Sequence, residues 1–176
     1  AITDDVGEST IEELVNAAFT MSKPKTGALI VIERKESLVN IEKTGILING
    51  IVSSQLLINI FEHNTPLHDG AVLIRGNTIV SATCYLPLSE NMRISKDLGT
   101  RHRAAIGISE VSDSITIVVS EETGRVSVAL GGNLIKVNDS EELRKELSVL
   151  LENTAEEKKS SLWSKLLKGR GNEKDK

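Results

Sequence analysis

The chain has very few aromatic residues: Trp, Tyr and Phe together make up 2% of its 176 residues. Its core must therefore be built from Ile, Leu, Val and Ala. There is also a single cysteine, Cys84, which excludes an internal disulfide and a multi-cysteine zinc site. Cys84 lies in an apolar run, so we expect a small buried side chain rather than a catalytic thiol.

Long apolar runs and a basic excess are absent as well. No stretch reaches the ~18 to 20 apolar residues that cross a bilayer, and no basic-then-apolar signal segment opens the chain. The formal net charge of -4 argues against broad nucleic-acid binding, which needs a basic face. An anionic ligand would therefore need a local cationic cluster. The composition is typical of a soluble domain in a reducing cytosol.

Helix and strand patterns intermix along the chain, which predicts an α/β fold with a mixed central sheet. Helices are expected over 9–22, 53–61, 100–109 and from 139 or 140 to about 151, and strands over 27–32, 46–48, 71–74, 78–86, 115–119 and 126–130. Predicted helix caps are Ser9 or Thr10 in a capping box, Ser53 or Ser54, Thr100, and Asp139 or Ser140.

The chain divides into a folded domain over 1–151 and a charged tail over 152–176, which we expect to be flexible. Four apolar residues of this tail fit one face of a short basic helix suited to a membrane surface or a partner: Leu162, Trp163, Leu166 and Leu167.

The first candidate site is the stretch His68-Asp69-Gly70-Ala71. Asp-Gly is a turn dipeptide, but the preceding segment contains Pro66 and is not strand-like, so a simple hairpin is disfavoured. Asp69 is a suitable ligand for Mg²⁺ or Mn²⁺, or could polarise a ribose hydroxyl as a base, while Gly70 allows close approach of backbone. His68 is a second candidate ligand, for the softer Mn²⁺. Because neighbouring residues of an extended chain point to opposite faces, Asp69 ranks above His68.

The second candidate site is the basic turn Gly99-Thr100-Arg101-His102-Arg103. Cations are mildly unfavourable in the first turn of a helix, where the backbone N–H groups already carry partial positive charge. Three basic residues at such a position are explained if a phosphate-bearing anion binds there. The alternative is that the arginines pair with acidic residues on the surface. Lone His63 has no such context and is expected in a loop.

Together these stretches resemble the diadenylate cyclase domain family. Its two hallmark motifs, Asp-Gly-Ala and Arg-His-Arg, are matched by Asp69-Gly70-Ala71 and Arg101-His102-Arg103. The likeness covers about residues 9 to 151. Flanking sequence also resembles the membrane-associated branch of the family, over Asn64–His68, Cys84–Ser89, Leu98–Thr100 and Val119–Gly124.

The resemblance implies a mixed sheet of about seven strands flanked by helices, and condensation of two ATP into cyclic di-AMP with release of two pyrophosphates. It implies a divalent metal (Mn²⁺, Mg²⁺ or Co²⁺), a face-to-face homodimer, regulatory proteins, and a parent anchored in the cell membrane by N-terminal helices. By position, the implied catalytic residues are Asp69, Arg101 and His102. The implied substrate-binding residues are Gly70, Ala71, Tyr85, Leu86, Thr100, Arg101, His102, Arg103, Ser120 and Glu122, and the implied metal ligands are Asp69 and His68.

Two other classes of protein remain open on the residues alone. A nucleotide sensor without catalysis would use the same basic turn, but has little need of a metal-binding carboxylate. A scaffolding module explains the fold but not the cluster of basic residues.

Overall fold

The computed structural model describes residues 5–152 and Leu166, and within them the chain folds as α1 Glu8–Ser22, β1 Ala28–Ile32, α2 Val39–Glu42, β2 Ile46–Ile51, α3 Ser54–Phe61, β3 Ala71–Arg75, β4 Thr78–Cys84, α4 Thr100–Val111, β5 Ile115–Val119, β6 Val126–Leu130, β7 Asn133–Val137 and α5 Ser140–Glu152. The α/β prediction is confirmed. Helices 1, 3, 4 and 5 and strands 1 to 6 all lie where the sequence patterns predict them.

The strands form one mixed seven-stranded sheet in the order β2-β4-β3-β1-β5-β6-β7. β1 and β3 pair in parallel, and each remaining pair of neighbours is antiparallel. β1 therefore sits in the middle of the sheet, and all five of its residues are buried. A central strand covered on both faces explains the uninterrupted apolar run Ala-Leu-Ile-Val-Ile.

Each face of the sheet carries its own hydrophobic core. On one face, Ile30 and Ile32 of β1 pack with apolar residues of α1, α3 and α5. On the other face, Leu29 and Val31 pack with Ala104 and other residues of α4. The alternation follows from the two-residue period of a strand. Cys84 belongs to the α4 side and is 1% exposed, as its apolar setting predicts.

Two of the predicted helix caps are confirmed. The Ser53 side chain accepts a hydrogen bond of 3.1 Å from the Leu56 N–H at the start of α3. The Asp139 carboxylate accepts one of 2.8 Å from the Glu142 N–H at the start of α5. Each bond satisfies a backbone donor that a helix start leaves without a partner.

The other two capping predictions are wrong. α1 begins earlier than expected, with Gly7 as its N-cap, so Thr10 lies inside the helix and its hydroxyl donates to Asn77 Oδ1 at 2.5 Å. Thr100 is the first residue of α4 rather than its cap; Gly99 holds that position and provides no side chain. Neither helix therefore begins with a side-chain capping bond.

Four elements differ from the sequence prediction, two in being present and two in where they end. α2 and β7 fall in segments where only turns were evident. β2 is longer than its predicted core because a bulge between Leu47 and Gly50 lets it continue to Ile51. β4 ends at Cys84, two residues early, and Thr83 inside it adopts a positive φ of 55° where the pairing with β3 shifts register between Ala71 and Leu73.

The predicted tail lies outside the described residues except for Glu152, which ends α5, and Leu166, which is helical and packs against the core shared by α1, α3 and α5. None of the helices within 5–152 combines the length and the apolar character that a membrane span requires.

α4 packs directly against the segment that follows β4. A methyl group added to Gly107 would overlap the Pro87 carbonyl oxygen and approach the Ser89 nitrogen to 2.9 Å. The Ser89 N–H also donates to the Arg103 carbonyl at 3.0 Å. The absence of a side chain at Gly107 therefore lets helix and loop backbones touch.

Gly107→Ala tests this contact. Helix propensity alone would stabilise the variant by about 1 kcal/mol, but overpacking against backbone that cannot rotate away costs about 1–3 kcal/mol or more. We expect a net fall in the free energy of unfolding, measured by urea denaturation. The control is Gly50→Ala, whose new methyl meets side-chain atoms alone, the tip of Leu56 at 3.1 Å and Ile48 at 3.6 Å. A stabilised Gly107→Ala protein would contradict the contact.

Candidate active site

A cleft of about 1160 Å³ opens at one edge of the sheet. It brings together ten of the residues that the sequence singled out: His68, Asp69, Gly70, Tyr85, Leu86, Thr100, Arg101, His102, Ser120 and Glu122. Two others do not line it. Ala71 is 1% exposed within β3 and packs in the core, and Arg103 points its carbonyl at Ser89. The acidic loop and the basic turn thus face one shared space.

The strand pairing explains why these distant segments meet. Because β1 and β3 run parallel, Gly27 and Gly70, which precede them, lie at the same edge. Because β4 is antiparallel to β3, and β5 to β1, residues that follow β4 and β5 emerge at that edge too. Tyr85 and Ser120 occupy these two positions, directly after the strand ends.

Asp69 reaches the cleft from a loop held by backbone contact. Gly70 has a positive φ of 80°, and a Cβ there would approach the Thr83 carbonyl carbon and the Cys84 carbonyl oxygen to 2.9 Å. Only glycine fits both the φ value and this close approach. The loop before β3 therefore rests directly on the end of β4, while the Asp69 side chain remains exposed in the cleft.

His68 lines the cleft together with Asp69, so the argument that they point to opposite faces is wrong here. Residues 68–70 form a bend rather than extended chain, and the two-residue period does not apply to it. His68 Nδ1 lies 2.6 Å from the Thr65 carbonyl oxygen. Because a carbonyl only accepts, Nδ1 is the donor of this hydrogen bond, which leaves Nε2 as the ring nitrogen that can face a ligand.

Tyr85 presents its side chain to the cleft, 77% exposed, while its backbone is fixed. Its N–H donates to Thr44 Oγ1 at 2.9 Å, and the Thr44 hydroxyl in turn donates to the Ile41 carbonyl at 2.6 Å. The turn after α2 therefore supports the segment after β4. An exposed ring on a fixed backbone is suited to stacking on a flat ligand.

An ion-pair network holds α2 against the sheet. Arg75, the last residue of β3, binds Glu33 and Glu42, with closest N–O distances of 2.8 Å to each. Burial alone would raise the pKa of Glu33, but hydrogen bonds from Arg75 and the Leu38 N–H outweigh it and hold that pKa below its ordinary value. The network fixes the start of the turn that carries Thr44.

The N-terminus of α4 opens onto the cleft without a side-chain cap. Its first N–H groups and the partial positive charge of the helix end are therefore directed at the space where a ligand would lie. Arg101 lies in this first turn, 24% exposed, and its Nη1 is 3.2 Å from Glu121 Oε2. The helix start thus provides both backbone and guanidinium donors for an anion.

His102 is a different kind of basic residue from its neighbours. It is 8% exposed, and burial lowers its pKa below the ordinary value of 6.5. The charges of Arg101 and Lys136 lower the pKa further, and Glu122 raises it without reversing the shift. In the protein without ligand, His102 is therefore neutral at pH 7, and the cluster carries less positive charge than the sequence suggested.

The turn after β5 is ordered by its own hydrogen bonds. Ser120 Oγ accepts the N–H groups of Glu122 and Thr123, each at 3.2 Å, and the Gly124 N–H donates to the Ser120 carbonyl at 2.9 Å. With its acceptor capacity engaged, the Ser120 hydroxyl is left to donate its proton, as an anion in the cleft would require.

Several cleft residues were missed by the sequence analysis, among them Thr44, Glu121, Arg125 and Lys136. Glu121 lies inside a stretch already singled out, between Ser120 and Glu122, and could have been found there. Lys136 could not, because it lies on β7, a strand that no sequence pattern indicated. Only the sheet order brings it to the cleft.

The chain is similar to characterised bacterial proteins. It is 51% identical over 160 residues to the cyclic di-AMP synthase CdaA of Bacillus subtilis, covering 91% of this chain and 59% of that protein. It is 54% identical over 157 residues to a diadenylate cyclase of Listeria monocytogenes, covering 88% and 56% respectively. The chain thus spans less than two thirds of the length of these relatives.

Solved structures and a family model agree with these relatives. DacA from Staphylococcus aureus, a double mutant, matches with a TM-score of 0.78 and 48% identity, over 80% of this chain and 94% of that one. A hypothetical membrane spanning protein from Bacillus cereus matches with a TM-score of 0.73 and 46% identity, over 78% and 66%. The family model described as DisA bacterial checkpoint controller nucleotide-binding matches residues 15–134. With residues of both hallmark motifs lining one cleft, the chain belongs to this diadenylate cyclase domain family.

Proposed function

We propose that this chain is a diadenylate cyclase that condenses two ATP molecules into cyclic di-AMP and two pyrophosphates. The observation that carries the proposal is the cleft that both Asp69 and the uncapped start of α4 line. Relatives named as diadenylate cyclases, more than half identical over most of the chain, support the same activity. A pure sensor would need the basic turn but not the carboxylate.

The adenosine part of ATP would be held by the edges of β3 and β4. Tyr85 would pack on the adenine ring, and the backbones of Gly70 and Leu86 would contact its polar edge. Asp69 would then lie beside the ribose 3′-hydroxyl. This arrangement is supported by the contact between the Gly70 backbone and the end of β4. Because of that contact, the loop that carries Asp69 lies next to the segment that carries Tyr85 and Leu86.

The triphosphate would be held by Thr100, Arg101, His102 and Ser120. Uncapped N–H groups of α4 and the Ser120 hydroxyl supply neutral donors, and Arg101 supplies charge. Ala71 and Arg103 are given no ligand contact here, because neither lines the cleft. Glu122 would act as a polar neighbour that favours the protonated form of His102.

The residues present fit a divalent metal of the Mg²⁺, Mn²⁺ or Co²⁺ type. Asp69 offers an exposed carboxylate, and His68 offers Nε2 because Nδ1 is engaged with the Thr65 carbonyl. Mg²⁺ in particular is usually held by one or two carboxylates, substrate phosphates and water. Such an ion would neutralise charge on the triphosphate.

The proposed reaction balances across two sites. The 3′-oxygen of each ATP forms a bond to the α-phosphorus of the other, and the bond from that phosphorus to the bridging oxygen breaks with loss of pyrophosphate. The hydroxyl proton leaves by way of Asp69 to solvent. The protein contributes chiefly orientation and charge neutralisation, as is usual for phosphoryl transfer.

Symmetric ring closure requires two such clefts to face each other, and a two-fold homodimer provides this arrangement. The parent protein would be attached to a membrane by a segment outside this chain. Support comes from the Bacillus cereus neighbour described as membrane spanning and from the greater length of the relatives. Binding of regulatory proteins to the parent stays a prediction.

Asp69→Asn tests the activity directly. The unsubstituted chain, incubated with ATP and Mn²⁺, Mg²⁺ or Co²⁺, should yield a product with the mass of two AMP units less two waters. The variant should bind ATP but lose turnover by about a hundredfold or more, because it removes the charge at the metal and the hydroxyl. Mass spectrometry measures the product and calorimetry the binding.

The matched control for this experiment is Glu110→Gln, which neutralises an exposed carboxylate near the other end of α4, away from the cleft. This control should turn over ATP at the same rate as the unsubstituted chain. If Asp69→Asn turned over ATP as fast as the unsubstituted chain, Asp69 would have no role in the mechanism. If no sample of the unsubstituted chain gave product, the proposed activity would be rejected.

The pKa of His102 should rise when ATP binds. Its pKa is below 6.5 in the free protein, and the negative triphosphate should raise it by favouring the imidazolium. By linkage, ATP should bind more tightly as the pH falls from above towards this pKa. NMR of the ring carbons, assigned with His102→Gln, measures the pKa with and without ATP. A pKa that falls on ATP binding would exclude contact with the phosphates.

Specific activity should depend on protein concentration if two chains form the site. Below the dissociation constant of the dimer, each tenfold dilution should lower activity per subunit by about tenfold, because the dimer fraction then scales with concentration. Product formation and the sedimentation-derived dimer fraction are measured on the same dilution series. Constant specific activity in clearly monomeric samples would contradict the two-chain site.

A further inference from the structure

Arg101 occupies a recess that exists because residue 27 has no side chain. A Cβ built on Gly27 would lie 2.5 Å from the Arg101 Cζ, 2.7 Å from Nη1 and 2.9 Å from Nε. The guanidinium of Arg101 therefore occupies space next to the Gly27 backbone that the side chain of any other residue at position 27 would fill. Gly27 itself is buried.

The recess has a rigid base. Gly27 directly precedes β1, whose five residues are all buried in the middle of the sheet, and the next residue, Ala28, pairs with Val119 at the end of β5. The guanidinium thus rests at the start of a strand that is buried along its whole length. A support of this kind restricts the plane of the guanidinium before any ligand binds.

The ion pair with Glu121 does not provide this support. It engages Nη1 alone, at 3.2 Å, and the Glu121 side chain is 63% exposed. Exposed pairs of this type contribute little to fixing a side chain, because water competes for both partners. Glu121 instead keeps a negative charge next to the donors that a phosphate would need.

We propose that Gly27 is a positioning residue for ATP: its missing side chain forms the recess that holds the Arg101 guanidinium towards the triphosphate. The proposal rests on the phosphate role of Arg101 in the proposed function. Holding a forked donor in place before binding reduces the entropy lost when it forms hydrogen bonds to phosphate. Gly27 acts only through Arg101.

The substitution Gly27→Ala tests this role selectively. The atoms that the new methyl would meet are at the tip of a flexible side chain, so Arg101 can move aside and the fold should persist. This differs from Gly107→Ala, where the methyl meets backbone. We expect Gly27→Ala to unfold at nearly the same denaturant concentration as the unsubstituted chain. It should nevertheless bind ATP about three- to tenfold more weakly.

A double-mutant cycle with Arg101→Ala separates positioning from a general effect. Arg101→Ala alone should weaken ATP binding by about ten- to a hundredfold, as expected for lost charge-assisted hydrogen bonds. Adding Gly27→Ala to it should weaken binding by less than about twofold, because nothing remains to be displaced. ATP affinity in the presence of Mg²⁺ is measured by calorimetry for all four proteins, with Gly50→Ala as the control for adding a methyl.

The outcomes distinguish the two proposals. If Arg101→Ala weakens binding and Gly27→Ala does not, the recess has no positioning role and only this inference fails. An equal loss from Gly27→Ala in both backgrounds would also overturn it, because the effect would not pass through Arg101. Unchanged affinity in Arg101→Ala would instead reject the phosphate role of Arg101 in the proposed function.

Glu121→Gln tests the rival explanation that the ion pair positions Arg101. If the recess holds the guanidinium, this variant should bind ATP about two- to fivefold more tightly at low salt, since it removes a negative charge beside the phosphates. Weaker ATP binding by Glu121→Gln, with Gly27→Ala unaffected, would assign the positioning role to Glu121 and overturn the proposal.

Discussion

The parallel pairing of β1 with β3 is the constraint on which the cleft depends. It places the residues that precede β1 and those that precede β3 at one edge of the sheet. The antiparallel partners β4 and β5 end at the same edge. Asp69, Tyr85 and Ser120 each lie within two residues of a strand end, so the strand register fixes their positions. A slip of one residue in any of these pairings would exchange the two faces and separate the site.

Three glycines adjust this framework, each in a different way. Gly70 lets the loop before β3 rest on the backbone of β4, which carries Asp69 to the cleft. Gly107 lets α4 touch the segment after β4, which fixes the helix relative to Leu86. Gly27 gives space to a side chain instead of a backbone. The first two contacts join backbone to backbone, whereas the third leaves room for the tip of a side chain.

Local patterns predicted the elements whose cause is local. The apolar runs of β1 and β5 and the caps at Ser53 and Asp139 follow from burial and short-range hydrogen bonding, and they were predictable for that reason. β7 was not, because its half-exposed residues form a strand only by pairing with β6. The neutral state of His102 was also beyond sequence reasoning, since it depends on burial and on Lys136, 34 positions away in the chain but close in the fold.

On the proposed function, the charges of the cleft bear on how a chain of net charge -4 would select one polyanion. Arg101 is paired with Glu121, and Glu122 lies near His102, so the basic groups are partly neutralised before a ligand arrives. A simple anion would have to compete with these carboxylates and gain little. A nucleotide triphosphate would also engage the α4 N–H groups, the Ser120 hydroxyl and the exposed Tyr85 ring, and a metal would reduce its repulsion from the acidic residues. On the proposed function, selectivity thus comes from many weak, fixed contacts acting on one ligand, since the charges of the acidic and basic residues that line the cleft nearly cancel.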